Sequence, residues 1–339
     1  MKAAVFYGPR DIRTEEVEDP SIQDNQILIK VKACGICGSD LHMYKLNLYA
    51  EGLVRPVEKG GIPGHEISGV VQEVGSKVSG INEGVRVAAF AFGGMAEYVP
   101  VTITQGTNVV QIPPEVTYEE AATLEPLSNS YHAMMKGNPV KGENSVIFGA
   151  GTIGLGIIQC MKAFELDMKK NVIIDYSDSR LKTAKQLGAD EIINIGKKDL
   201  YDEIVRYLGT SPLLSNPAII VPNVDIIYDC AGYMQDFKNS IALQKALDIV
   251  RPGTGRIVVH ALFEDNIPMN FLPLVWKQTV ILGSYGFLPD EVEKCLELLR
   301  TKKVDQSKII SHEFPLDRAN EAFEIQCNIE ESIKVLIKP

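Results

Sequence analysis

The sequence predicts an α/β protein made of a mostly antiparallel β domain and a doubly wound parallel domain. Three observations carry this. The first 120 residues alternate apolar and polar positions between turn residues. From Asn144 onward, short continuous apolar strands alternate with helical stripes. The first of those strands runs straight into a glycine-rich turn that opens a helix. At about 150 residues per domain, 339 residues also suggest two domains.

In the first part, Gln26–Lys32 and Ile67–Val74 have strand patterns, and Gly-Ser and Asn-Glu-Gly turns follow. In the second, strands are expected at Val146–Phe148, Val172–Ile174, Ile192–Ile193, Val224–Tyr228, Arg256–Val259 and Thr279–Leu282. Helices are expected at Ser179–Leu187, stopped by Gly188, near Asp199–Leu208, and through Leu243, Ala246, Leu247 and Val250, whose spacing forms one apolar stripe. Ser211–Asn223 holds three prolines and reads as a surface excursion that interrupts the rhythm. The tail returns to a helix around Cys295 and a closing strand at Ser332–Ile337.

The chain is 45% hydrophobic and 23% charged, which excludes a disordered tail, a collagen-like fibre and a low-complexity array. Its net charge of −10 makes it a poor ligand for nucleic acid or anionic membranes. No stretch of 18 apolar residues exists to span a membrane. Six Cys are too few for a disulfide scaffold, and the apolar run after Met1 is too short for a signal-peptide core. A cytoplasmic protein with reduced thiols is expected. Six Cys and five His are the scarce side chains able to bind soft metals or move protons near neutrality.

Gly149-Ala150-Gly151-Thr152-Ile153-Gly154 follows the strand Val146–Phe148 and opens a helix. Gly149 permits the tight turn, Gly151 admits a pyrophosphate, and Gly154 lets helix and strand pack; the amides of Thr152 and Ile153 begin the helix that faces the phosphates. Asp175 ends the next strand, 21 residues after Gly154, where a carboxylate takes the adenosine ribose hydroxyls and repels a 2′-phosphate. NAD is therefore expected over NADP, with Arg180 positioned to blunt that preference.

Cys34-Gly35-Ile36-Cys37-Gly38-Ser39-Asp40-Leu41-His42 packs two thiols, a hydroxyl, a carboxylate and an imidazole into nine residues. A four-Cys zinc knuckle needs a second C-x-x-C, which is absent, so one thiol is expected to be functional and the other a small buried apolar residue. Gly64-His65-Glu66 and Glu125-Pro126 are further candidates. A thiolate, an imidazole and a carboxylate would leave one zinc position open, as catalysis requires. Spacing alone leaves this open, because a His-Glu pair also suits a turn and Glu125 suits a helix cap.

The motifs Ala33–His42, Ile62–Val71, Leu124–Ser128 and Gly149–Gly154, in this order, resemble the zinc-dependent medium-chain alcohol and polyol dehydrogenases over essentially the whole chain. The resemblance is to the sorbitol, threonine and 2,3-butanediol dehydrogenase branch. It implies a GroES-like catalytic domain over 1–126 and 286–339 and a Rossmann domain over 127–285. It also implies Cys37 and His65 as zinc ligands, with Glu66 and Glu125 competing for the third position, Glu66 either binding zinc or acting from just behind it. Asp40 falls where the family orients the ligand imidazole, and Ser39 and His42 where it passes the alcohol proton outward. The four-Cys structural zinc lobe is missing, since no Cys lies between Cys37 and Cys160, so one zinc per chain is expected.

The expected chemistry is hydride transfer between a secondary alcohol, polyol or vicinal diol, or its ketone, and NAD(H). A homo-oligomer, dimer or tetramer, is expected from the family. Tyr44–Ile62 is expected to overhang the substrate. Two other readings are a metal-free quinone or enone reductase of the same superfamily and a non-catalytic nucleotide-binding protein. Intact ligand and relay residues argue against both. Of the remaining histidines, His132 is expected on a helix, His260 at a strand end on the cofactor side, and His312 on the surface before a strand.

Overall fold

The computed structural model describes residues 1–48, 53–57, 60–104, 108–213, 216–232 and 241–339. The chain divides into two compact units, Met1–Pro126 with Pro289–Pro339, and Leu127–Leu288.

The first unit opens with β1 (Lys2–Gly8), β2 (Asp11–Glu16) and β3 (Gln26–Gly35), followed by α1 (Gly38–Leu46). Then come β4 (Val54–Val57), β5 (Gly60–Ile62), β6 (Glu66–Val74), β7 (Arg86–Ala89), β8 (Tyr98–Thr102), β9 (Val109–Gln111) and α2 (Tyr118–Ala121). Helix α3 (Leu124–Lys136) carries the chain into the second unit. Alternation makes β3 a strand: Ile27, Ile29 and Val31 point into the core while Lys30 points out. Each of these aliphatic side chains contributes about 1.5–3 kcal/mol by leaving water. Strand β3 lies antiparallel to both β6 and β8.

The second unit holds β10 (Asn144–Phe148), α4 (Thr152–Ala163), β11 (Lys170–Asp175), α5 (Asp178–Leu187), β12 (Glu191–Asn194) and α6 (Leu200–Leu208). After β13 (Thr210–Leu213) and β14 (Asn216–Pro222) come β15 (Ile226–Asp229), α7 (Ala242–Ile249), β16 (Arg256–Val259), α8 (Leu272–Lys277) and β17 (Val280–Gly283). Six of these strands form a parallel sheet in the order β12-β11-β10-β15-β16-β17. The order reverses between β10 and β15, the switch point where doubly wound sheets take their ligands. Every residue of β10 is buried, as a strand covered on both faces requires. Ser177 caps α5, and Gly188, at φ 116°, ends it in the left-handed conformation.

The tail rejoins the first unit through α9 (Pro289–Arg300), β18 (Ile310–Pro315), α10 (Ala319–Cys327) and β19 (Lys334–Lys338). Strand β19 pairs antiparallel with β3 and parallel with β18, extending the sheet that includes β6.

Two expectations, on His312 and Tyr44, are corrected. Ser211–Asn223 is a mostly exposed excursion, as expected, and takes the form of an antiparallel hairpin of β13 and β14. A two-stranded ribbon is all edge, so its prolines deprive no central ladder of a donor. His312 lies within β18, half-buried opposite Val335, rather than before the strand. Tyr44 is not part of an overhanging segment: it lies in α1, fully buried, and donates to Glu324 Oε1 at 2.6 Å. Tyr49, Glu51, Glu58 and Lys59 of that segment lie outside the described residues.

Candidate functional site

Strand β3 ends at Gly35, and the chain turns so that Cys37 takes the position just before α1. The Cys37 amide donates to Asp40 Oδ2 at 2.9 Å, closing the first helical turn under the thiol. His65 immediately precedes β6, and Glu66 begins it, directly opposite Gly35 in the ladder. These two crossings bring Cys37 Sγ, one His65 ring nitrogen and one Glu66 carboxylate oxygen within 4.8 Å of one another. Sulfur, nitrogen and oxygen in one small cluster form a donor set that suits zinc and leaves a fourth position for a substrate.

The surroundings favour a cation. Burial works to lower the His65 pKa, but the charges of Cys37, Asp40 and Glu125 outweigh it and hold the imidazole's pKa well above its usual value. His65 Nδ1 is buried without a hydrogen-bond partner, 3.8 Å from Asp40 Oδ1. A small ring rotation would complete the carboxylate–imidazole contact that orients metal-bound histidines. Asp40 is itself buried, which raises its carboxyl pKa against the opposing pull of His65. Cys34 differs from Cys37: complete burial pushes its thiol far up, so it stays protonated and packs as a small apolar group.

Two participants escaped the sequence reading. Lys334, at the start of β19, is 2% exposed and donates to Glu66 Oε1 at 2.7 Å and to the Ile36 carbonyl at 2.9 Å. Its ammonium also contacts Glu66 Oε2. Burial alone would lower the Lys334 pKa, but Glu66, Cys37 and Glu125 raise it, so the lysine is a fixed positive charge. Gly35 is the second participant. A Cβ there would fall 1.9 Å from Glu66 Oε2, so any larger residue would displace this carboxylate from its present position. The one available signal was a lysine within the otherwise apolar run Ile333–Ile337, which reads equally well as a solvated strand position.

Of the two competing carboxylates, Glu66 belongs to the donor cluster. Glu125, in the first turn of α3, is half-buried and stands outside it, though close enough to act electrostatically on His65 and Lys334. Ser39 and His42 lie three residues apart on α1, with Ser39 half-buried and His42 buried.

In the second unit, Gly149 adopts φ 99°, and a Cβ there would meet Cys230 and Ala231 at 3.2–3.3 Å. A Cβ on Gly154 would lie 1.9 Å from the Gly149 carbonyl oxygen. Above Gly151 the space is open apart from Arg180 Nη1 at 3.7 Å. Gly151 is the N-cap of α4 and makes no side-chain capping bond, and the Arg180 guanidinium lies beside this helix N-terminus. Asp175 ends β11 with Oδ2 accepting from Ala150 N at 2.6 Å and Oδ1 from Ser177 N at 2.9 Å. Each oxygen keeps a lone pair for a ribose hydroxyl. The glycine turn and its carboxylate therefore fit a dinucleotide.

Residues 23–114 match the alcohol dehydrogenase GroES-like domain, and residues 152–301 match the zinc-binding dehydrogenase family. The chain is 30% identical to the sorbitol dehydrogenase of Bacillus subtilis (strain 168), covering 100% of this chain and 97% of that one. It is 29% identical to the L-idonate 5-dehydrogenase of Vitis vinifera, covering 98% and 93%. Among solved structures, 2R,3R-butanediol dehydrogenase from Bacillus subtilis superimposes with a TM-score of 0.81 at 26% identity, covering 100% of this chain and 99% of that one.

Proposed function

The chain belongs to the zinc-binding medium-chain alcohol and polyol dehydrogenases, and from that membership we propose that it transfers a hydride between a secondary alcohol, polyol or vicinal diol and NAD. The observation that carries the proposal is the convergence of Cys37, His65 and Glu66 donor atoms within 4.8 Å, in a chain that also holds the Gly149–Gly154 turn. The metal-free reductase reading has no use for such a cluster.

Bound at these places, zinc supplies Lewis-acid polarisation of the alcohol oxygen and the dinucleotide supplies the hydride acceptor. Cys37 and His65 hold the metal, and Glu66 takes the third place, with Lys334 balancing its charge. Asp40 orients His65. Ser39 Oγ accepts the alcohol proton while its own hydroxyl proton passes toward His42, one turn along α1. Gly149, Gly151, Thr152, Ile153 and Gly154 receive the pyrophosphate, with Arg180 beside it, and Asp175 takes the adenosine ribose.

The finer points rest on the same residues. Asp175 favours NAD over NADP by repelling a 2′-phosphate. One zinc per chain follows from the absence of cysteine between Cys37 and Cys160. Catalysis is assigned to 1–126 with 286–339, and cofactor binding to 127–285. Leu272, Val275 and Trp276 of α8 and Val280 of the edge strand β17 are exposed, which supports a homo-oligomer, dimer or tetramer. Among the described residues no helix is long and apolar enough to cross a membrane; a cytoplasmic location belongs to the proposal.

The test is a panel of secondary alcohols, polyols and vicinal diols with NAD and with NADP, run before and after chelation and after zinc is restored. NAD reduction that chelation abolishes and zinc restores is expected. Activity indifferent to metal removal would contradict the proposal in favour of the metal-free reading.

A further inference from the structure

The strands on the far side of the switch point end at one level. Asp229 of β15, Val259 of β16 and Gly283 of β17 are register partners, so Cys230, His260 and Ser284 follow in a row. Phe148, the last residue of β10, pairs with Asp229, and a Cβ on Gly149 would touch the Cys230–Ala231 backbone. The glycine turn and this row therefore adjoin across the switch point. A dinucleotide whose pyrophosphate rests on Gly149–Gly154, and whose adenosine ribose is held at β11 by Asp175, must extend its other half over this row.

The row carries polar chemistry that the proposed function leaves unused. His260 Nδ1 lies 3.1 Å from Ser284 Oγ. The strands do not need this bond, because the Ser284 amide already donates to the Val259 carbonyl at 2.9 Å and the His260 amide to the Asp229 carbonyl at 3.0 Å. The bond instead holds the imidazole's orientation, since Ser284 is itself buried. The ring is half-buried, and among the described residues its other nitrogen has no hydrogen-bond partner. Burial, with His132 nearby, lowers the His260 pKa to about 4, so the ring is neutral at pH 7. In a neutral imidazole held in one orientation, the second nitrogen offers a single directed donor or acceptor. A primary carboxamide presents both an N–H₂ and a carbonyl, and satisfies either.

We propose that His260, oriented by Ser284, hydrogen-bonds the carboxamide of the nicotinamide ring. His260 is then a cofactor-binding residue and Ser284 a positioning residue. The inference rests on the dinucleotide reading above and extends it to a contact which that reading does not assign.

Equilibrium binding separates the alternatives. NADH carries the carboxamide, whereas ADP-ribose carries everything up to the missing nicotinamide. His260→Ala is expected to weaken NADH by about tenfold, the size of one good hydrogen bond, and to leave ADP-ribose unchanged to within about twofold. His260→Gln, which keeps an amide donor and acceptor, is expected to recover most of the loss. Ser284→Ala is expected to weaken NADH in the same selective way by a smaller factor. Unchanged NADH affinity in His260→Ala, or equal weakening of NADH and ADP-ribose, would overturn the inference and leave the cofactor reading standing. A wild-type chain that binds neither ligand would overturn both.

Discussion

The Lys334 ammonium donates to Glu66 Oε1 at 2.7 Å, and the two charges are 2% and 0% exposed. They lie 268 residues apart in sequence and meet because β19 runs antiparallel beside β3 while β6 flanks β3 on its other side. Removing two charges from water costs several kcal/mol per ion unless each finds its partner. This pair is retained beside Cys37 and His65, where Glu66 adds a negative charge that Lys334 balances at hydrogen-bond distance.

Lys334→Met leaves that carboxylate buried and uncompensated. The expected cost to the metal-free protein is about 3–5 kcal/mol, read from urea unfolding. Zinc binding then supplies the missing positive charge, so zinc is expected to raise the melting temperature of the variant more than that of the wild type. Equal shifts would show that Lys334 and the metal do not share Glu66.

Gly35→Ala probes the same carboxylate from the opposite side. A methyl group there would meet Glu66 Oε2 at 1.9 Å and Cβ at 3.3 Å, so the carboxylate must move. Overpacking of this kind costs about 1–3 kcal/mol. Zinc affinity, measured by competition with a chromogenic chelator, is expected to fall at least about tenfold, a loss of 1.4 kcal/mol or more. Unchanged affinity would remove Glu66 from the ligand set and favour Glu125.

Asp175→Asn tests the ribose contact. One amide oxygen survives, but the charge that repels a 2′-phosphate is lost, and the Ala150 and Ser177 amides can no longer both find a carboxylate oxygen. NADH affinity is expected to fall by about tenfold, in line with one charge-assisted bond, and the preference for NAD over NADP to shrink. Fluorescence titration with both reduced cofactors reads the two effects, and an unchanged preference would point to another determinant.

The pH dependence of stability has a definite sign at His260. Its folded pKa of about 4 lies below the ordinary histidine value of 6.5, chiefly because of burial, so the unfolded chain binds the proton more readily. The contribution is fully present above pH 6.5 and is lost as the pH falls through 4, by about 3 kcal/mol for a shift of this size. The difference in unfolding free energy between wild type and His260→Gln, followed from pH 7 to pH 4, is expected to change in the wild type's disfavour across that window. A flat difference would mean that His260 is not buried in solution.

The parts of the site written in contiguous residues were legible. The Gly149–Gly154 turn declares itself because strand, glycines and helix follow one another, and the apolar runs mark β16 in full and the buried centres of β10 and β11, whose polar ends Asn144, Ser145, Lys170, Asn171 and Asp175 they miss. Cys37, Ser39, Asp40 and His42 stood out because one helical turn gathers them. Glu66 and Glu125 could not be ranked, because spacing does not report which carboxylate a sheet places beside a thiol; the clustering of Cys37, His65 and Glu66 donor atoms within 4.8 Å supports Glu66. Lys334 and Gly35 were invisible for the same reason: their roles arise from long-range strand pairing. The strands of the β13–β14 hairpin were not legible within the surface excursion, because three prolines argue against a central strand but not against an isolated ribbon.

Zinc content per chain, in the wild type and in Cys37→Ser after identical dialysis, bears most directly on the metal centre. One zinc in the wild type and essentially none in Cys37→Ser is the expected result, with Cys34→Ser retaining its zinc. Two zincs in the wild type, or an undiminished zinc in Cys37→Ser, would contradict a single centre built on Cys37, His65 and Glu66.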